Sequence, residues 1–142
     1  MKRFSRLTLM VPLALSVAMV ASCGAKQSDT ETDAQRAGLY DSTIVNYYMM
    51  GVEGQYGRYV ASMQSCDGTT PAYKQQVELA LKHRNDCVMK QKKGVKRVGV
   101  VRVEMHSGNT MANAFLVVQF NDSSREEILF PLVLDNGHWR MQ

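Results

Sequence analysis

The spacing of the large apolar residues changes once along the chain, near Val95. Before this point they recur every three or four residues, which is the period of a helix. After it, apolar and polar residues alternate, which is typical of strands that bury one face. The pattern predicts helices followed by an antiparallel sheet.

Three helices are expected before the change in period. Asp41 or Ser42 is a candidate N-cap, because a short polar side chain can accept a hydrogen bond from the first turn. Pro71 suits the start of the longest helix, since the N–H that proline lacks would be unpaired there anyway. The predicted ranges are 41–49, 56–63 and 71–92.

Four strands are expected after it, separated by short polar turns. Asp135-Asn136-Gly137 is the strongest hairpin signal, because Asn-Gly accepts positive φ at both central positions. In the second strand Phe115 and Val117 oppose the main apolar face, which predicts cover on both sides. The predicted ranges are 95–106, 111–120, 126–134 and 138–141.

Strict alternation assigns the first strand two faces. One face receives Gly99, Val101, Val103 and Met105, and the other receives Val98, Val100, Arg102 and Glu104. Helices first and an antiparallel meander afterwards predict one α+β domain over residues 41–142, in which a sheet of about four strands wraps the helices.

The first 22 residues predict export. Lys2, Arg3 and Arg6 precede an apolar run from Leu7 to Ala21, which is the arrangement of a secretory signal. A permanent transmembrane anchor is the weaker alternative, because a spanning helix needs roughly 20 apolar residues and Pro12 interrupts this run.

The end of that signal, Val20-Ala21-Ser22-Cys23, resembles the lipobox of bacterial lipoproteins. The resemblance implies cleavage before Cys23, acylation of that residue, and a lipid anchor in the cell envelope, at the outer membrane and facing either the periplasm or the surface. An ordinary secretory signal with an incidental cysteine is the alternative.

Residues 24–38 are rich in Ser, Thr, Asp, Gln and Ala and have almost no large apolar residue, so we expect a flexible tether over residues 23–40. Asp29, Glu31 and Asp33 resemble, in a dispersed form, the acidic signal for surface display in lipoproteins of the Bacteroidota. A solvated linker is the alternative explanation of these acids.

Cleavage changes the charge of the chain. Removing three of the 17 basic residues leaves 14 against 13 acidic ones, so the mature chain is near neutral. This balance does not suggest a nucleic-acid partner.

With Cys23 acylated, Cys66 and Cys87 remain as a pair. An oxidising compartment permits a disulfide between them, which would close a loop of about 20 residues. Two free thiols are the alternative. A redox or metal site has little support, because the two cysteines are expected to lack close histidine partners.

Three features resemble the nuclear transport factor 2-like superfamily, and within it uncharacterised Bacteroidota lipoproteins with a domain of unknown function. They are a tyrosine-rich first helix, a lysine-rich helix end running into Gly94-Val95-Lys96, and the ending 130–139. The resemblance implies helices held against a strongly curved antiparallel sheet, forming a cone. This superfamily holds enzymes, binding modules and scaffolds alike.

Tyr47, Tyr48 and Trp139 are candidates for stacking on a ligand in the mouth of the cone, with core packing as the alternative. Enzymes of the superfamily place an Asp, His or Tyr inside the cone. His83, His106 and His138 are expected to be solvated or turn residues. Asp86 and Glu104 have no recognisable catalytic partner in the sequence. No motif indicates a metal or a cofactor.

A basic run lies where the third helix ends, at Lys90, Lys92, Lys93, Lys96 and Arg97. It could bind anionic lipid or polysaccharide, or could simply favour the negative end of the helix dipole.

The sequence therefore favours a non-catalytic module for a small ligand or an envelope protein. A structural accessory of an envelope complex is the alternative, and a small hydrolase or isomerase is the third. A cone cavity of several hundred Å³ with a few inward polar groups would favour a ligand. A core filled by Phe115, Leu116, Phe130 and Trp139 would favour the accessory role.

Overall fold

The structure, a computed structural model, describes residues 32–142. The predicted signal, Cys23 and the first part of the tether lie outside the described residues. The helices are α1 (Asp33–Arg36), α2 (Asp41–Val52), α3 (Tyr56–Ala61) and α4 (Pro71–Lys92), with a 3-10 turn over Gln64–Cys66. The strands are β1 (Val95–His106), β2 (Met111–Phe120), β3 (Arg125–Asp135) and β4 (His138–Met141).

The strands form one antiparallel sheet in the order β1-β2-β3-β4. The turn between β3 and β4 has positive φ at both central residues, 49° at Asn136 and 79° at Gly137, as the Asn-Gly pair predicts. The inner face of β2 is fully buried, as predicted, through Ala112, Ala114, Leu116, Val118 and Phe120.

The helices pack against this inner face in two layers. Helix α2 contacts β1 directly and buries Ile44 completely. Helix α4 contacts mainly α2 and α3, and none of its residues is fully buried. The predicted α+β architecture is confirmed. None of the described helices is long and apolar enough to cross a membrane.

Strand β1 departs from strict alternation, so its predicted faces are partly wrong. Val100 pairs with Leu116 and Arg102 with Phe115, which leaves Val101 as the extra residue of a bulge. A bulge advances the alternation by one residue. Val98, Val100, Val103 and Met105 therefore face the core.

The predicted tether is wrong at its C-terminal end. Residues 33–36 form α1, which begins with a capping box in which Thr32 and Gln35 bond reciprocally at 3.3 and 2.9 Å. Ala34 and Leu39 are buried in the core. The packed domain thus begins before Asp41, its predicted start. The two apolar residues are buried there because the folded sheet and helices provide a site for them.

Helix α2 begins at Asp41 with Tyr40 as its N-cap, so neither Asp41 nor Ser42 caps it. It also continues through Gly51 to Val52. Helix α4 matches the prediction at both ends, with the hydroxyl of Thr70 accepting a bond of 3.2 Å from the Tyr73 N–H.

Candidate functional site

Trp139, a predicted ligand-stacking residue, belongs to the core. Its side chain is 5% exposed, on the inner face of β4. The indole N–H donates a 2.8 Å hydrogen bond to the main-chain carbonyl of Ala37, just after α1. Both the apolar body and the polar edge of the ring are therefore used within the protein.

Tyr47 is engaged in the same way. Its hydroxyl donates a 2.6 Å hydrogen bond to the main-chain carbonyl of Trp139, and its ring packs against the core cluster. Core packing, the alternative for these two residues, is what the structure shows. They fix β4 to the first two helices and present no free group to a ligand.

Tyr48 lies where α2, α3 and α4 meet, at a small cavity. Its ring makes an edge-to-face contact with Phe130, with centroids 6.4 Å apart. The cavity is lined by residues from these helices and the start of β1: Tyr48, Gly51, Val52, Tyr59, Leu81, Arg84, Asn85, Val88 and Val95. Of the three aromatic candidates, only Tyr48 lines it.

This small cavity has room for water but not for an organic ligand. Its volume is about 40 Å³, whereas a single water needs about 10–15 Å³ by that kind of measure. Pockets for organic ligands measure about 300–1,000 Å³. Of the four residues expected to fill the cone, Leu116, Phe130 and Trp139 lie in the core cluster. Phe115 does not, because it lies on the opposite face of β2, beside Arg102.

The cavity's polar groups are donors and neutral phenols. Burial raises the pKa of Tyr48 and of Tyr59, and the nearby Arg84 guanidinium opposes this rise without cancelling it. Asn85 donates to the carbonyl of Val52 at 3.0 Å and to the hydroxyl of Tyr56 at 3.1 Å. Among the described residues that line the cavity, none is Asp, Glu, His or Cys.

A larger cleft of about 500 Å³ lies at the edge of the sheet, outside the interior. It runs between the start of the described chain and the bulged part of β1, with Asp33, Gln35 and Asp41 on one side and Val101 and Arg102 on the other. Space of ligand size is therefore found at the surface of the domain.

The three histidines do not come together. His83 is exposed on α4, His106 is exposed on the sheet beside Asn113, at 3.3 Å, and His138 is exposed after the hairpin turn. Within residues 32–142, no three His, Cys, Asp or Glu side chains are placed to hold a metal ion.

The predicted disulfide is absent, since Cys66 and Cys87 are both free thiols. Cys66 is buried in the 3-10 turn before α4. Cys87 lies in the second half of α4 and is half-buried. The Cys87 sulfur instead contacts the Nε2 atom of His83 at 3.7 Å, so the expected lack of a close histidine is wrong for Cys87.

The basic run divides into paired and unpaired members. Lys92 forms an ion pair with Glu126, and its ammonium lies 4.2 Å from the centre of the Phe120 ring. The turn after β2 covers the end of α4, because the Asn121 side chain donates to the carbonyl of Lys93 at 2.9 Å. Lys92 thus links the end of α4 to the sheet, while Arg97 lies on the other face of the sheet.

That outer face carries an apolar patch. We define the outer patch as Met111, Phe115, Val117, Leu129, Pro131 and Val133, which share one face of β2 and β3. Leu129 pairs with Phe115 and is 53% exposed. Arg102 stacks on the Phe115 ring at 3.6 Å and also pairs with Glu104 and Glu127, at 3.1 and 3.5 Å.

Several residues that matter here carry no signal in the sequence. Tyr59 and Arg84 meet Tyr48 only through the packing of three helices. Arg140 reaches both Asp67 and Asp135, at 2.5 and 2.8 Å, from the last strand. Periodicity identifies which of them lie on apolar faces, but not which of them meet.

No family model matches the chain, and no curated protein matches it. Among solved structures, the chain is similar to the crystal structure of a protein named as a candidate NTF2-like transpeptidase from Campylobacter jejuni. The TM-score is 0.57, the sequences are 12% identical, and the match covers 68% of this chain and 90% of the other. At this identity the likeness establishes the fold alone.

Proposed function

We propose that this chain, which has the nuclear transport factor 2-like fold, is a lipid-anchored envelope lipoprotein whose domain is a non-catalytic module for binding another envelope protein. The anchor is Cys23, and residues 24–31 connect it to the domain. The resemblance to Bacteroidota lipoproteins belongs to the same proposal.

The observation that carries the proposal is the outer patch. The sequence of β2 is that of a strand covered on both faces, with large apolar residues on each. In the described chain the helices pack on the inner face, and Leu129 and Val101 stay more than half exposed. An exposed apolar patch rimmed by charges is typical of a protein-binding surface. Arg102, Glu104 and Glu127 supply such a rim.

The size of the interior cavity, about 40 Å³, is well below that of pockets that hold organic ligands. It argues against an enclosed small ligand and leaves two roles for the outer face, protein binding and the accessory role. The accessory role in an envelope complex uses the same outer face. The accessory role differs from that of a binding module in one respect: an accessory is needed for its complex to assemble.

The anchor can be tested by mass spectrometry of the mature chain. We expect the N-terminal residue to be Cys23 carrying acyl groups, and we expect Cys23→Ser to leave the membrane fraction. An unmodified residue at that position would refute the lipoprotein part of the proposal and leave the binding surface untouched.

The surface can be tested by site-specific photo-crosslinking in intact cells. A photoreactive residue at Leu129 should capture one defined envelope protein, and the same residue at Leu79 should not. Leu79 is a matched control, because it is 59% exposed on α4. The captured protein, once identified and purified, should bind the wild-type chain and lose affinity for Leu129→Arg, but not for Leu79→Arg. Equal capture at both positions, or no direct binding, would overturn the proposal.

A further inference from the structure

Two arginines flank a groove at one end of the outer face. Arg97 on β1 pairs with Gln119 on β2, and Gln119 pairs with Arg125 on β3, so the three residues form one row across three strands. Neighbouring strands lie about 4.8 Å apart, which places the two arginine backbones about 10 Å from each other. The groove has a volume of about 210 Å³ and is lined by both arginines and Gln119.

Neither guanidinium is neutralised within the described chain. The acidic side chains at this end of the sheet have other partners: Glu127 pairs with Arg102, Glu126 with Lys92, and Asp122 accepts hydrogen bonds from Ser124. Among residues 32–142, no carboxylate lies within ion-pair distance of Arg97 or Arg125. Two unpaired like charges on one row of a sheet repel each other, so an anion between them would be stabilising.

The floor of the groove is open because of Gly99. This residue precedes the bulge on β1 and pairs with Val117 in the row beside the arginines. A Cβ atom at Gly99 would meet nothing within 4 Å. The absence of a side chain there leaves room beside the two guanidinium groups, while Gln119 contributes an amide that can donate two further hydrogen bonds.

We propose that this groove, the arginine groove formed by Arg97, Gly99, Gln119 and Arg125, binds a phosphate group. Arginine binds phosphate through paired, charge-assisted hydrogen bonds. A carboxylate has two oxygens, whereas a phosphate monoester offers three. Phosphate can therefore accept from both guanidinium groups and from the Gln119 amide at once. The phosphate belongs either to a lipid headgroup or to a soluble compound, and the chemistry of the groove is the same for both.

This site goes beyond the proposed protein-binding function. The outer patch is apolar and centred on Phe115 and Leu129, while the arginine groove lies at the end of the face where β3 begins. It also gives a role to Arg97, the member of the basic run that points away from the helices.

The test is a titration of the full chain in neutral detergent, followed by NMR of the arginine and glutamine side chains. The soluble probe is inorganic phosphate, with chloride used to keep the ionic strength constant. The lipid probe is phosphatidylglycerol in the same micelles. We expect saturable shifts at Arg97, Gln119 and Arg125 with at least one probe. Response to lipid alone assigns a headgroup, and response to inorganic phosphate assigns a soluble source.

Two variants and one control separate the groove from general charge. Arg97→Gln with Arg125→Gln should weaken binding by about tenfold or more. Gly99→Leu keeps every charge but fills the groove, and should weaken binding similarly. Lys74→Gln with Lys90→Gln removes the same charge from α4 and should change affinity less than twofold. No saturable response to either probe, or equal weakening in the lysine control, would overturn the proposal. Crosslinking from Leu129 is a separate readout, so the two proposals can fail independently.

Discussion

The hydroxyl of Tyr47 donates a 2.6 Å hydrogen bond to the main-chain carbonyl of Trp139, which lies 92 residues further along the chain. The indole of Trp139 in turn reaches back to Ala37. These two bonds join the last strand to α1 and α2. Their partners lie in the core, where an unpaired polar group is costly.

Tyr47→Phe should lower the free energy of unfolding by about 1–3 kcal/mol, because the carbonyl of Trp139 would lose a part-buried donor. The measurement is urea denaturation followed by circular dichroism. Tyr40→Phe is the control, since Tyr40 is 50% exposed, and it should change stability little. Equal stability of Tyr47→Phe and the wild type would show that the bond contributes nothing.

Trp139→Leu should cost more, about 3 kcal/mol or above, because it removes a buried ring as well as the bond to Ala37. Differential scanning calorimetry would measure the loss. A variant as stable as the wild type would show that the ring does not stabilise the fold. Ligand binding would then again be a possible role for Trp139.

Arg140→Met should remove a part of the stability that depends on pH. The hydrogen bonds from Arg140 are the main reason why the pKa of Asp67 lies below its usual range. A lowered pKa stabilises the folded state above the unfolded value of about 4, and this contribution disappears as the pH falls through the folded value. The difference in the free energy of unfolding between wild type and variant should therefore be largest near neutral pH and should decrease below about pH 4.

Acid unfolding of the two proteins, monitored by tryptophan fluorescence, would measure this difference. Lys82→Met is a suitable control, because its pair with Asp86 is exposed at both ends, and such pairs contribute little. A difference that persists unchanged at low pH would mean that Arg140 acts through packing and its main-chain contacts, and not through Asp67.

The partly buried phenols of Tyr48 and Tyr59 predict how stability changes at alkaline pH. Burial raises the pKa of Tyr48 and Tyr59, so folding keeps them protonated. Their contribution is fully present below the usual tyrosine pKa of about 10, and it is lost as the pH rises through the folded values. Tyr48→Phe with Tyr59→Phe should therefore flatten the loss of stability at alkaline pH.

Tyrosinate absorbance during an alkaline titration would follow both phenols directly. Tyr73→Phe is the control, because Tyr73 is 47% exposed and should leave the alkaline limb as it is. An unchanged slope in the double variant would assign alkaline unfolding to other groups.

The cysteines should behave as two thiols of unequal access. In a Cys23→Ser chain, Ellman's reagent should modify Cys87 in the folded state and Cys66 only after unfolding, because Cys66 is 2% exposed. Cys87→Ser should lose the fast reaction. Intact mass two hydrogens below that of the dithiol, with no reactive thiol, would instead establish the bridge.

Local patterns predicted the sheet well. The bounds of β1, β2 and β4 and the Asn136-Gly137 turn are those expected from alternation and turn chemistry. Such signals depend on a few neighbouring residues. The alternation of side chains along a strand follows directly from the alternation in the sequence. The long helix α4 followed from Pro71 and its cap for the same reason.

The candidate site was predicted less well, because its composition depends on contacts between distant segments. Tyr47, Tyr48 and Trp139 were identified as a set, yet only Tyr48 lines the cavity, where Tyr59 and Arg84 join it from other helices. Residues 32–40 contain too few apolar residues to predict packing, and Ala34 and Leu39 are buried because the sheet and α2 offer a place for them.

The sequence by itself determined the type and order of the elements. It also determined which residues of each strand face the core, except around the bulge of β1. Tertiary structure decided which faces stay open and which charges are left without partners. Strand register illustrates the physical reason. Arg97 and Arg125 are ordinary surface residues in the sequence, and only pairing through Gln119 brings them to one row. A local sequence pattern cannot predict that pairing, because the free energy of strand pairing depends on side chains that lie far apart along the chain.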